Sequence, residues 1–186
     1  MELREQRFGI EIEMTGITRA GAAKVAATYF GTRSEYVGTY YQTYAAVDQE
    51  GRQWKFMSDG SIRAEKKVNG EKRAAGAVYR TEMVSPICRY EDIEKIQELI
   101  RELKKKGAIV NESCGIHVHI DASPFDAGKL RNLTNIMAAK EDLIYKALGV
   151  SVERQHRWCR PVEERFLEEL NRRRPTSMEA VEEIWY

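Results

Sequence analysis

The chain contains 186 residues, of which 42% are hydrophobic and 32% are charged, and its formal net charge is +1. This composition excludes a disordered chain and supports one folded domain over residues 1–186. The near-zero net charge argues against nucleic acid as a partner. No apolar run in the sequence is long enough to span a membrane. Three cysteines without disulfide-scaffold spacing favour a reducing, cytoplasmic location.

Strands are predicted mainly in the first part of the chain, and long helices mainly in the last part. Short connections between consecutive strands make them antiparallel, so we expect an α+β fold: an antiparallel sheet with helices packed on one face and a helical C-terminal part. The predicted elements are, in chain order, a strand at 7–15, a helix at 18–30, a hairpin at 35–57 with its turn at 48–51, a tight turn at 59–61, a hairpin tip or mobile loop at 69–70, a strand at 78–85, a helix at 92–106, a strand at 115–121, a helix from 123 to about 148, and helices at 161–171 and from 176 onward.

Two short motifs place pairs of metal-binding side chains on strands. Glu11 and Glu13 are two residues apart and therefore share one face of their strand, and His117 and His119 share a face of a later strand in the same way. Several carboxylates with one imidazole suit Mg²⁺ or Mn²⁺, whereas structural zinc would favour cysteine. The alternative is that both pairs are ordinary polar residues on solvent-facing strand surfaces.

Glu82 lies in another predicted strand, where strict alternation places it on the same face as Arg80 and Val84. A carboxylate on such a mixed face is either paired with a neighbouring cation or held for chemistry. The residues support a salt bridge to Arg80 and a functional role about equally.

Lys55, Asp59 and Ser61 surround a predicted turn. A strand end followed by a tight turn explains this composition. The functional alternative places Asp59 and the backbone amides that follow it at the rim of a binding site.

Arg154, Arg157 and Arg160 recur at every third residue. A solvated helix face would explain this spacing. The functional alternative is an anion clamp, because guanidinium groups bind carboxylates and phosphates through two parallel hydrogen bonds.

The order of several motifs resembles the amidoligase family, which belongs to the carboxylate–amine ligase superfamily of glutamine synthetase and glutamate–cysteine ligase. The segment at 157–161 is similar to that family's Arg-Tyr-Cys-x-Pro stretch, with Trp158 in the place of tyrosine. The resemblance extends over residues 7–161. The other motifs are Phe-Gly-Ile-Glu-Ile-Glu at 8–13, Asp-Gly-Ser at 59–61, Glu-Met-Val-Ser-Pro at 82–86 and Gly-Ile-His-Val-His at 115–119.

This resemblance implies an antiparallel sheet, similar to the glutamine synthetase catalytic domain, that binds ATP and two or three Mg²⁺ or Mn²⁺ ions. It also implies a role for each candidate residue. The implied metal ligands are Glu11, Glu13, Glu82 and His117; the implied catalytic residues are Glu82 and Arg157; the nucleotide side holds Lys55, Asp59 and Ser61; and the substrate side holds His119, Arg154, Arg157 and Arg160.

The implied reaction joins a small-molecule or peptide carboxylate to an amine through an acyl phosphate. Members of the family usually continue with a strand that carries Thr-x-Glu-x-Arg, and residues 1–186 contain no such motif. We therefore expect the chain to represent a truncated domain, completed by a homo-oligomer or a complementing partner chain, or inactive by itself.

Two other functions fit the same residues. A metal-dependent hydrolase would use His117, His119 and the glutamates on a different template, and tight zinc binding would favour it. A non-catalytic binding or assembly protein would keep the sheet without a working site. Binding of a nucleotide together with a metal ion separates both from the ligase.

Overall fold

Six strands form one antiparallel sheet, here called the main sheet, in the computed structural model, which describes residues 2–186. Its spatial order is β2-β3-β4-β7-β1-β8, so the first strand in sequence lies between the last two. The antiparallel α+β fold class is confirmed. The strands are β1 (Phe8–Met14), β2 (Ser34–Gly38), β3 (Thr43–Val47), β4 (Gln53–Met57), β7 (Thr81–Val84) and β8 (Ile116–Ile120), and a separate ribbon pairs β5 (Glu65–Val68) with β6 (Glu71–Ala74).

Helices α1 (Arg19–Phe30) and α2 (Asp92–Lys105) form the core with one face of the main sheet. Apolar residues of the strands, among them Met14, Trp54, Phe56 and Met83, are buried there together with the alanines of α1. Burial of these side chains is the main favourable term in the stability of this unit. The opposite face of the sheet is left for polar side chains.

Helix α1 begins after Thr18 and ends before Gly31, in agreement with the helix predicted at 18–30. The Thr18 hydroxyl accepts a hydrogen bond from the backbone N–H of Gly21 at 3.1 Å, which satisfies one free donor of the first turn. Gly31 ends the helix in the left-handed conformation with φ of 69°. Helix α1 packs mainly on β2, β3 and β4 of the main sheet.

Two segments differ from the sequence prediction. The predicted hairpin at 35–57 is a three-stranded meander, because the chain makes an additional turn at residues 39–42, where Thr39 and Gln42 have positive φ. The strand predicted from residue 78 begins only at Thr81, since residues 77–79 form a short 3₁₀ turn. Asn69 and Gly70 form the predicted hairpin tip between β5 and β6.

The chain divides into two compact units, of which the first ends at Asp121 and the second is Ala122–Tyr186. The second unit is helical and has a small core of its own around Ala127, Leu170 and Val181. Its first helix begins later than predicted because Asp126, rather than Ser123, caps it. Its helices are α3 (Ala127–Leu148), α4 (Val152–Arg157), α5 (Glu164–Arg173) and α6 (Met178–Trp185). Within residues 2–186, none of the helices has the length and apolar character needed to cross a bilayer.

Candidate metal centre

Strand register collects carboxylates of β1 and β7 and the histidines of β8 on the face of the main sheet that the helices do not cover. Glu11 of β1 lies opposite His117 of β8, and Glu13 lies opposite Glu82 of β7. Directly opposed residues of an antiparallel pair point to the same face. The four predicted metal ligands are therefore neighbours, although they come from three separate parts of the sequence.

These side chains and Asp59 form two groups of possible metal ligands that share one residue. The first group contains Glu11, Glu82 and His117, and the second contains Glu13, Asp59 and Glu82. In each group the ligand atoms lie within 4.8 Å of one another. A carboxylate has two oxygens, so Glu82 is placed to bridge two adjacent cations. We call Glu11, Glu13, Asp59, Glu82 and His117 the carboxylate cluster.

Hydrogen bonds hold the outer ligands in position. A carboxylate oxygen of Glu11 lies 3.0 Å from His117 Nδ1, and its other oxygen lies 3.3 Å from His119 Nε2. The backbone N–H of Gly115 donates to Glu13 Oε2 at 2.6 Å. This hydrogen bond joins the end of the Glu13 side chain to the segment that precedes β8.

Glu82 is surrounded by negative charge. Its side chain is almost fully buried, with 9% of the residue exposed. Burial, followed by the charges of Glu11, Asp59 and Glu13, raises the pKa of Glu82 to about 7. Throughout residues 2–186, no lysine or arginine forms a salt bridge with a carboxylate of the cluster. Among the described residues, lysine and arginine therefore do not balance these carboxylates through salt bridges.

Histidines supply the side-chain contacts of Glu11. Burial opposes ionisation of Glu11, but the hydrogen bonds to His117 and His119 outweigh it, so the pKa of Glu11 is lowered. The hydrogen bond between the His117 ring and the Glu11 carboxylate also raises the pKa of His117.

Asp59 comes from the turn after β4. Its side chain accepts a hydrogen bond from the backbone N–H of Ser61 at 2.6 Å, which fixes the turn. An open cavity of about 500 Å³ is formed at this point. Its lining residues are Glu11, Tyr41, Met57, Ser58, Asp59, Gly60, Glu82, Val84 and His117.

Two predicted nucleotide contacts lie near the cavity but do not line it. Lys55 is exposed on β4, opposite Val84 in the register, and so shares the face of the carboxylate cluster. The backbone N–H of Ser61 donates a hydrogen bond to the Asp59 side chain.

The predicted salt bridge between Glu82 and Arg80 does not form among the described residues 2–186. The Nε atom of Arg80 is buried without a hydrogen-bond partner. The interpretation of Glu82 as the salt-bridge partner of Arg80 is therefore wrong. Arg80 precedes the shortened β7 and does not share its alternation.

The three predicted substrate arginines belong to the second unit. Arg154 and Arg157 lie in α4, and their guanidinium groups lie 5.3 and 4.4 Å from the centre of the Trp158 ring. Arg160 follows this helix. The carboxylate cluster is built entirely by the first unit, and the assignment of these arginines to substrate stays a prediction.

Tyr41 is one of the cavity residues that the sequence did not indicate. Its backbone carbonyl accepts a hydrogen bond from Ser58 N–H at 3.0 Å, which ties the additional turn at 39–42 to the turn of Asp59. The buried Arg19 guanidinium donates to Gln42 Oε1 at 2.5 Å and to the carbonyls of Ala77 and Arg80 at 2.8 and 3.0 Å. Arg19 therefore holds the turn of Tyr41 against the chain that enters β7.

The donor chemistry of the cluster fits a hard divalent cation. Each group offers carboxylate oxygens, the first adds one imidazole, and neither contains a thiolate. Mg²⁺ and Mn²⁺ prefer such oxygen-rich ligand sets, whereas zinc favours more nitrogen or sulfur. Crowded carboxylates without a counter-ion are also the electrostatic environment in which a cation binds most favourably.

Fold and side-chain geometry together describe an α+β protein with a carboxylate-rich candidate metal centre on an antiparallel sheet. A family model described as "Putative amidoligase enzyme" matches residues 4–186, and the chain therefore belongs to the amidoligase family. No curated protein and no solved structure matches the chain in the corresponding comparisons. Membership in this family indicates a ligase function in general terms.

Proposed function

We propose that this protein is an ATP-dependent carboxylate–amine ligase that requires two Mg²⁺ or Mn²⁺ ions. One observation carries the proposal: Glu82 belongs to two adjacent ligand groups that lack any lysine or arginine counter-ion. Two neighbouring cations are the usual arrangement where a phosphoryl group is transferred, because they neutralise the oxygens of the triphosphate and orient it.

The reaction proceeds in two displacements. An oxygen of the substrate carboxylate attacks the γ-phosphorus of ATP, ADP leaves, and an acyl phosphate forms. The amine nitrogen then attacks the acyl carbon, phosphate leaves, and the amine loses a proton as the amide forms. Bound metal ions and ATP supply the activated phosphoryl group and the charge neutralisation for the first displacement.

The residues of the chain bind and orient the reactants. Glu11, Glu13, Asp59, Glu82 and His117 would hold the cations. Within this proposal Lys55 and the Ser61 turn serve the nucleotide, and His119 serves the substrate. Arg154, Arg157 and Arg160 stabilise the anionic acyl phosphate.

The substrates belong to the class of small-molecule or peptide carboxylates and amines. The cavity beside Asp59 is open and partly polar in its lining, as a site for charged substrates must be. We further propose that the protein works in the cytoplasm, where ATP and Mg²⁺ are abundant.

A titration with Mn²⁺, followed by electron paramagnetic resonance, tests the shared ligand. We expect two ions per chain in the wild type and one ion in Glu13→Gln, which removes a ligand of one group only. Glu82→Ala should weaken both sites by about a hundredfold or more, since it removes the carboxylate common to both groups. Glu35→Gln, an exposed position on β2 of the same sheet, is the matched control and should keep both ions.

Thermal melting with ATP and Mg²⁺ then tests the nucleotide. A ligand at a hundred times its dissociation constant stabilises the fold by about 2.7 kcal/mol, and this gain should be absent in Glu82→Ala. Amine-dependent release of ADP and phosphate identifies the reaction. Two metal sites without any nucleotide effect would contradict the ligase, and tight zinc binding with ester or phosphate hydrolysis would instead support a hydrolase.

A further inference from the structure

Strand β8 forms an open edge of the main sheet. Among the strands of residues 2–186 it pairs with β1 alone. Ile116, Val118 and Ile120 are exposed by 64%, 56% and 51%. Edge strands usually carry a lysine, a proline or a bulge that prevents pairing with another chain, and residues 116–120 contain none of these.

The hydrogen-bond pattern shows which backbone groups are available at this edge. Asp121 N–H donates to the Arg7 carbonyl, and Glu13 N–H donates to the Gly115 carbonyl, both at 3.0 Å. Because inward and outward groups alternate along a strand, the residues with odd numbers use their backbone groups on β1. The N–H and C=O groups of Ile116, Val118 and Ile120 therefore point away from the sheet.

The sequence of β8 reads the same in both directions: Ile116-His117-Val118-His119-Ile120. A two-fold axis through Val118 would pair this strand with its own copy in antiparallel orientation. Ile116 would then lie opposite Ile120 of the second copy, and the residues with outward-pointing backbone groups would meet each other. About six backbone hydrogen bonds would form, two at each of three residue pairs.

We propose that two copies of this chain associate through their β8 strands, so that the two main sheets join into one continuous antiparallel sheet. The axis at Val118 places each apolar residue of the strand opposite an apolar residue of the second copy, whereas a shift by one residue would place isoleucines opposite histidines and move side chains to the wrong face. Each isoleucine finds an apolar partner across the axis, and isologous interfaces of this kind are the commonest route to a homodimer.

The pairing also brings a residue of the second copy to the carboxylate cluster. His117 would lie opposite His119 of the second copy on the face that holds Glu11, at a position where opposed side chains approach closely. Each metal centre would thereby gain an imidazole from the other chain. This second part rests on the proposed metal site, whereas the pairing of the strands does not.

Sedimentation velocity over micromolar to sub-millimolar protein concentrations, without metal or nucleotide, tests the pairing directly. The wild type should form a reversible dimer. Val118→Pro should weaken association by more than about tenfold, or about 1.4 kcal/mol, because the ring removes an outward N–H that β1 does not use. A wild type that sediments as a monomer throughout, or a Val118→Pro variant with unchanged association, would overturn the proposal.

Cysteine cross-linking tests the position of the axis without disturbing the backbone. In a background with Cys114→Ser and Cys159→Ser, Val118→Cys should oxidise to a covalent dimer, since opposed Cα atoms about 5.5 Å apart lie within disulfide range. Ile116→Cys is the matched control: its two copies would be about 14 Å apart and should not cross-link, whereas a mixture with Ile120→Cys should. Equal cross-linking of Ile116→Cys and Val118→Cys would refute the register.

The metal part has its own readout. If His119 of the second copy joins the site, Mn²⁺ affinity should rise with protein concentration in the wild type and stay constant in Val118→Pro. A dimer with the predicted cross-links but constant Mn²⁺ affinity would overturn the shared site alone and leave the strand pairing intact. Absence of any Mn²⁺ binding in a cross-linking dimer would instead reject the proposed metal function.

Discussion

Two clusters of buried carboxylates in the first unit differ in the source of their positive charge. Asp48 and Asp92 bind Arg52, which donates to Asp92 at 2.7 and 2.9 Å and to Asp48 at 2.9 Å. The carboxylate cluster around Glu82 has no lysine or arginine salt bridge among the described residues. The pKa values move accordingly: they are lowered for Asp48 and Asp92 and raised for Glu82.

This difference separates a structural ion network from a binding site. In the Arg52 network both aspartates form salt bridges to an arginine of the chain, so their charges are stabilised without a ligand. Around Glu82 the chain keeps like charges together at a cost in stability, which is the pattern expected where the missing charge comes from a ligand. The following changes break or sharpen this contrast, in order of decreasing effect.

Arg52→Met should destabilise the protein most, by about 2–4 kcal/mol, because it leaves Asp48 and Asp92 without their main partner. Urea denaturation at pH 7 measures this change. Arg52→Lys keeps the charge but loses the two parallel hydrogen bonds to Asp92, and should cost about half as much. A loss below about 0.5 kcal/mol for Arg52→Met would mean that this network behaves like an ordinary surface pair.

Glu82→Gln should stabilise the metal-free protein by about 1–2 kcal/mol at pH 8, because it removes a carboxylate that must ionise among negative neighbours. The sign follows from the raised pKa of Glu82. Its contribution to the stability of the wild type is fully present below the pKa of about 4.3 in the unfolded chain, and it is lost as the pH rises through the folded-state pKa of about 7. Melting in chelator at pH 5 and pH 8 measures it, and Glu35→Gln is the control. Equal effects at both pH values would contradict an unpaired Glu82.

Asp92→Asn should have the smallest effect. The free energy of unfolding should fall by about 1 kcal/mol at pH 7, and it should decrease less steeply than in the wild type as the pH is lowered. The hydrogen bond from Arg52 is the main cause of the lowered pKa of Asp92, followed by burial, which opposes it. A lowered pKa contributes stability above the unfolded value of about 3.9 that disappears as the pH falls through the folded value. Unfolding curves between pH 2 and pH 7 measure this change in the free energy of unfolding. If the decline in stability at acid pH is the same in the variant, Asp92 does not contribute to the pH dependence.

Local periodicity was sufficient to predict which side chains share a face. Glu11 with Glu13 and His117 with His119 follow from the two-residue repeat of a strand, and the caps of α1 follow from Thr18 and Gly31. The opposition of Glu13 and Glu82 depends on which strands pair and in which register. That information is non-local, so only the family resemblance indicated Glu82 as a ligand.

Other features depend on conformations that residue type does not specify. Tyr41 reaches the cavity because Thr39 and Gln42 adopt positive φ in an unpredicted turn, a conformation uncommon for residues other than glycine. The apolar face of β8 was expected to be buried, and it is exposed because no helix of the first unit packs on this edge strand. The alternation of side chains along a strand predicts which residues share a face, but not which element packs on that face.

The position of β1 between β7 and β8 has a consequence for the time course of folding. The contact of Glu11 with His117 joins residues 106 positions apart, and that of Glu13 with Gly115 joins residues 102 positions apart. Such long-range closures come late, after the local turns and helices have formed. A chain emerging from the ribosome therefore contains Glu11 and Glu13 early, but these residues can meet His117 and Gly115 only when residue 120 is free. Under the proposed metal function, capture of a paramagnetic ion during refolding would report the time at which β1 and β8 pair.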